Sequence, residues 1–246
     1  MKKISLLLII AFLTGCAELS EVVREIDGQR PLTQQEVVNG LKQALTIGAD
    51  SAASGLAATN GYYKDPAVKI TLPPEATVVT EYASKIPGGE DLVEDVLLRI
   101  NRSAEDAARE AAPVFAKAVR SMTLRDGFEI LQGENDAATQ YLKKETYQEL
   151  NDLYQPKIKS SIDKALVGDI STKESWEKLT KQWNRLANSI VGSMANLETI
   201  ETELDRYLTE QALDGLFLKL AQEEEQIRQD PAARVTDLLQ RVFGES

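Results

Sequence analysis

The stretch EDLVEDVLLRINRSAEDAAREAAPVFAKAVRSM, residues 90–122, decides the fold. Val93, Leu97, Ile100, Ala104, Ala107, Ala108, Ala111, Phe115, Ala118 and Met122 fall three or four apart, so one apolar face persists for about nine helical turns. A strand repeats every second residue and does not give this spacing. Pro113 lies inside the run and must kink or break it, because proline has no N–H and its ring clashes with the preceding turn. Asp95 with Arg99, and Glu105 with Arg109, stand four apart and read as ion pairs, each worth only ~0.2–0.5 kcal/mol.

The same period continues on both sides. Thr33-Gln-Gln-Glu36 has capping-box spacing ahead of Val37, Val38, Leu41 and Leu45, and predicts a helix to Ala58. Gly48, Ala52, Gly55 and Ala58 on its second half suit tight helix packing. Asn60-Gly61 ends it. Val68-Lys-Ile70-Thr-Leu72 alternates and reads as one short extended segment. A helix follows from Pro73-Pro74-Glu75 to Ile86, then a turn at Pro87-Gly-Gly89. Beyond Met122 the pattern predicts a short helix over 123–131, then a long one capped by Asn135 and restarting at Pro156. Further helices follow behind the capping box Ser171-Thr-Lys-Glu174, over 197–228, and behind Asp230-Pro231. Glu223-Glu-Glu225 reads as a solvated face. There is no internal repeat. The expected architecture is all-α: a single multi-helix domain over 32–246 with at most one short extended segment near 67–72.

Composition narrows the chemistry. The 246 residues hold 28 Lys+Arg, 39 Asp+Glu, no His and one Cys. Without His there is no Ser-His-Asp triad, Cys-His dyad or imidazole metal site. One Cys cannot build an internal disulfide or a cysteine-based zinc or iron–sulfur site. A net charge of −11 argues against nucleic acid as a partner, which calls for a basic face. The sequence implies no metal and no cofactor.

The N-terminus reads as an address. Met1-Lys2-Lys3 is a basic start and residues 4–13 an apolar core, too short to span a bilayer and suited to a secretory signal. It closes on Leu13-Thr14-Gly15-Cys16, which resembles the lipobox of bacterial lipoproteins. The resemblance implies a signal peptide over 1–15, cleavage before Cys16, lipid on the Cys16 thiol and the new amine, and a lipidated tether over 16–31. Ala17, in place of the Asp that often retains such proteins at the inner membrane, implies an outer-membrane lipoprotein facing the periplasm. The membrane is then a partner through that lipid.

Four separated blocks carry a second resemblance: residues 60–73; 100–107 with 112–115; 136–141; and 212–217 followed by 223–228, with Leu-Gln-Arg-Val-Phe-Gly244 at the close. Together they resemble the bacterial family filed as domain of unknown function 4197, least so over 167–200. The resemblance implies an exported, predominantly helical protein and carries over no catalytic residue.

Short catalytic motifs do not add up. Ser161-Ile-Asp-Lys164 and Ser175-Trp-Glu-Lys178 match S-x-x-K without the companion motifs of penicillin-binding proteins. Residues 133–136 lack the alternating ligands of an EF-hand. The best ligand-binding candidates are Tyr62, Tyr63, Asn101, Glu105, Asp136, Thr139 and Tyr141, which lie in the shared blocks and are expected to line one pocket. The structural alternative has Asn101 capping a neighbouring helix, Glu105 pairing with Arg109 and Tyr141 in the core. Trp176 and Trp183, seven apart on one stripe, are core or a partner interface. The leading expectation is a lipid-anchored, non-catalytic module that binds an envelope protein or a small-molecule ligand. A carboxylate-dependent enzyme acting on cell-wall or lipid substrates, and a structural assembly subunit, are the alternatives.

Overall fold

Three capping boxes start helices where the sequence places them. Thr33 accepts the Glu36 amide, Thr123 that of Asp126 and Ser171 that of Glu174, and each acidic side chain reaches back to the cap. The computed structural model describes residues 32–244 apart from residues 86 and 235. The signal-like segment, Cys16 and the tether lie outside the described residues. The helices are α1 (Gln34–Ala57), α2 (Val78–Tyr82), α3 (Gly89–Ala108), α4 (Ala111–Ser121), α5 (Leu124–Leu131) and α6 (Ala137–Ile162). They continue with α7 (Thr172–Ala187), α8 (Ile190–Met194), α9 (Leu204–Gln229) and α10 (Asp237–Gly244). No strand occurs among the described residues, so the all-α expectation holds.

The apolar stripes meet in one core. α9 lies along α6, α1 and α3; α3 also packs on α6 and α7, and α1 on α4. Ile100, Ala104, Ala107, Ala108, Phe115, Leu142, Leu150, Leu208, Leu213 and Leu216 are fully enclosed. α1 begins against α5 and α10: Gly127 faces Val38, and Gly40 faces Leu238 and Val242. Further along α1, Gly48 faces Glu223 and Ile227 near the end of α9. The start of α9 lies elsewhere, with the Tyr207 hydroxyl on the carbonyls of Thr71 and Leu72. The chain therefore enters the domain at one end of α9, about 39 Å from the other end.

Several boundaries differ from the sequence reading, each for a local reason. The break in the 90–122 run falls at Arg109–Glu110 rather than at Pro113. Pro113 then sits in the first turn of α4, where its missing N–H costs no intrahelical bond. Pro156 does not restart α6, which runs through it unbroken. Tyr154 and Ile158 on either side are fully buried, so packing holds the helix across the lost bond. α9 starts at Leu204, not Leu197. Asn184 pairs with both backbone groups of Ile200, and the Trp183 indole N–H donates to the Glu198 carbonyl at 2.9 Å. These side chains take the backbone groups a longer helix would have used. The helix expected over 73–86 divides into α2 and two flanking 3-10 turns, and Asp230 caps a 3-10 turn instead of the last helix.

Candidate functional site

The expected site residues gather around one carboxylate. Glu105 is 4 % exposed, on the face of α3 that carries Ala104 and Ala108. Its Oε1 accepts the amides of Tyr62 and Tyr63, both at 3.2 Å, and its Oε2 accepts that of Asn60 at 3.1 Å. Arg102, not Arg109, is its ion-pair partner, and Arg102 also donates to the Asn60 side chain at 2.7 Å. Asn60 adopts a left-handed φ of 72°, which turns the chain so that successive amides point at the carboxylate.

One turn earlier on α3, Asn101 treats the same loop as a strand would. Its Oδ1 accepts the Ile70 amide at 2.9 Å, and its Nδ2 donates to the carbonyls of Ile70 (2.8 Å) and Leu97 (2.7 Å). The segment 68–72 forms no strand: Val68 sits in a turn closed by its amide on the Asp65 carbonyl at 3.1 Å, and at Ile70 a buried side-chain amide takes the place of a second strand. Tyr62 is fully buried; its hydroxyl donates to the Ala212 carbonyl at 2.7 Å and its ring fills the space left by Gly215. Burial, then the neighbouring Tyr154 and Glu105, push its phenol well above the ordinary range. Tyr63 lies outside, its hydroxyl donating to Glu94 and Lys69 standing over its ring.

A second buried carboxylate, Glu224 on α9, organises the other candidates. It accepts the amides of Ala138 (3.0 Å) and Thr139 (2.8 Å) and the Thr139 hydroxyl (2.9 Å). Arg228 neutralises it and reaches on to the Ile130 carbonyl at 3.1 Å. The N-terminus of α6 is thus capped from another helix, and Asn135 does not cap it. Reading Glu223-Glu-Glu225 as a solvated face fails at its middle residue, which is 7 % exposed.

Tyr62, Tyr63, Asn101 and Glu105 come together, but Asp136, Thr139 and Tyr141 do not join them. The two groups attach to α9 at Ala212 and at Glu224, about 18 Å apart along the helix. The expectation of one pocket is corrected accordingly. Asp136 accepts from Gln140 at 2.9 Å, and Tyr141 is half-buried against the core. Trp176 and Trp183 are core, not an exposed interface: Trp183 is fully enclosed and meets Tyr82 edge-on at 6.0 Å.

The sequence reading missed Arg102, Glu224 and Arg228. A signal for Glu224 exists, since Leu213, Phe217, Leu220, Glu224 and Ile227 share one stripe and a carboxylate on such a stripe needs partners. Two surface features also escaped it. An open cleft of about 470 Å³ lies between α1, the 60–66 loop and α9. Ser51, Gly55, Asn60, Lys64, Asp65, Lys219 and Glu223 line it, and a Cβ added at Gly55 would meet only open space. The Lys219 ammonium holds the Asp65 carboxyl below the usual carboxylate range, and Ser51 donates to Glu223 at 2.9 Å. The other feature is α8, where Ile190 and Met194 are each 82 % exposed and Val191 is 67 % exposed.

The fold and these buried clasps define an all-α bundle protein whose polar core groups pin loops and helix ends. The chain belongs to the family described as Protein of unknown function (DUF4197), whose model matches residues 31–244. Neither the curated proteins nor the solved structures contain a match to it. The blocks of family resemblance are the ones the clasps join: 60–73 to 100–107 through Asn101 and Glu105, and 136–141 to 223–228 through Glu224.

Proposed function

We propose that this chain is a lipid-anchored envelope protein whose helical domain acts as a binding module rather than a catalyst. The cleft beside the Glu105 clasp carries the reading. Its walls bring both signs of charge, Lys64 and Lys219 against Asp65 and Glu223, around an uncovered Gly55 backbone. Such a lining suits a small polar molecule with both cationic and anionic groups. Glu105 and Glu224 are already saturated by backbone amides and arginines, which leaves them holding structure rather than moving protons.

The anchor rests on the lipobox-like Leu13-Thr14-Gly15-Cys16, with Ala17 favouring the outer membrane and a periplasm-facing domain. No described helix is long and apolar enough to cross a membrane. Replacing Cys16 by Ser is expected to abolish labelling by a fatty-acid analogue; undiminished labelling sinks the anchor. For the binding role, the Cys16→Ser chain exported to the periplasm is examined by native mass spectrometry. A reproducible excess mass, lost on denaturation and reduced in Lys219→Ala, is expected. A mass equal to that of the bare chain, or an excess indifferent to Lys219, counts against the cleft.

A further inference from the structure

The exposed apolar residues of α8 do not stand alone. Residues 178–197 form the longest stretch of this acidic chain without Asp or Glu, and they carry Lys178, Lys181 and Arg185. Lys181 and Arg185 lie with Asn184 and Asn188 on the outer face of α7 leading directly to α8, and Glu177 stands on the same face at the end away from α8. Neither forms an ion pair among the described residues. The carboxylates nearest in sequence are Glu177 at one border and Glu198 at the other. α8 itself is held rigidly: Ser189 caps it, the Leu197 amide closes on the Gly192 carbonyl at 2.9 Å, and Gly192 presses on α7. A Cβ there would meet the Leu186 carbonyl oxygen at 2.2 Å, so Ile190, Val191 and Met194 are turned outward.

The size of the patch selects its occupant. Each of the three side chains offers on the order of 100 Å², so the tip supplies roughly 300 Å², far below the about 800 Å² per partner of a stable protein interface. A convex apolar point flanked by cations needs no complementary groove when the partner is a bilayer: apolar groups enter the acyl boundary and cations meet headgroup phosphates. We infer that α8 and the adjoining face of α7 form a membrane-inserting tip that takes an anionic phospholipid surface. The site is additional to the lipid on Cys16 and does not depend on it. The tip lies at the end of α9 remote from the entry of the chain. Fifteen residues separate Cys16 from Leu32, and a chain of that length can span at most about 50 Å, longer than α9, so anchor and tip have the reach to meet one bilayer.

The test uses the full chain with Cys16→Ser and Ser193→Cys, the new thiol carrying an environment-sensitive dye, mixed with phosphatidylglycerol–phosphatidylethanolamine vesicles. The dye emission is expected to shift to the blue and to be shielded from aqueous iodide. A dye at Lys144→Cys, in the first third of α6, is expected to stay quenchable. Ile190→Ser with Met194→Ser should abolish the shift while leaving the thermal midpoint unchanged. Lys181→Gln with Arg185→Gln should weaken it and remove its sensitivity to salt. Emission at 193 indifferent to vesicles, or a shift that survives the double Ser variant, overturns the inference. A shift that follows protein concentration without vesicles assigns the tip to a second copy and overturns it equally. Because the labelled chain has no Cys16, failure of the tip and failure of the anchor give separate results.

Discussion

Glu105 shows how a single residue sets the character of this core. Its two oxygens serve three amides and one guanidinium, so every change in charge is felt by the whole 60–70 loop. Glu105→Gln replaces one acceptor by a donor facing N–H groups and strands Arg102, and is expected to cost about 3 kcal/mol. Urea denaturation should show the lower midpoint with an unchanged slope; a midpoint equal to wild type would contradict the clasp. Two buried tyrosines give a matched contrast. Tyr154 is fully enclosed and its hydroxyl has no partner among the described residues, whereas the Tyr62 hydroxyl holds Ala212. Tyr154→Phe should be neutral or stabilise by up to about 1 kcal/mol, while Tyr62→Phe should cost about that much, both by calorimetry.

Elements here are finished by side chains from other elements. α6 receives its N-terminal cap from Glu224 on α9, and the loop 167–170 is tied to α3 by Arg99, which donates to the carbonyls of Val167 and Ile170. The Asp95–Arg99 pair expected from spacing forms at 2.8 Å and steers that arginine. Glu224→Ala should therefore loosen the first turn of α6 without melting α9. Hydrogen exchange is expected to speed up at the amides of Ala138 and Thr139, with a loss of about 1–2 kcal/mol typical of a removed cap. Exchange unchanged at those two amides would show that the cap carries no weight. Capping boxes were legible because their partners lie three residues apart. Glu224 lies 85 residues from Thr139, so no local spacing could announce the pair.

At the scale of the whole molecule, titration should bound stability from both sides. Asp65 and Asp126 are held below the usual carboxylate range by the Lys219 ammonium and the Thr123 amide. Burial pushes Asp95 up, but hydrogen bonds from Arg99 and Ser175 outweigh it and leave it low. Their contribution is complete above the ordinary value of about 3.9 and is lost as pH falls through the lower folded values. Burial raises Tyr62 and Tyr154, so theirs is complete below about 10 and is lost as pH rises beyond it. Thermal midpoints followed by circular dichroism should form a plateau between these limits, with the alkaline fall less steep in Tyr154→Phe. A steady decline across neutral pH would oppose this. The helical class, most helix starts and the apolar stripes follow from local sequence, because a period of 3.6 and a cap three residues away are properties of neighbouring residues. It also supplied the family, since the matching blocks are continuous. It took the packed bundle to show that Trp176 and Trp183 face inward, that Asn101 and Glu105 are saturated by a loop, and that Ile190, Val191 and Met194 are left in water. Those outcomes depend on which surfaces meet across the bundle, and burial is fixed by partners far away in the chain.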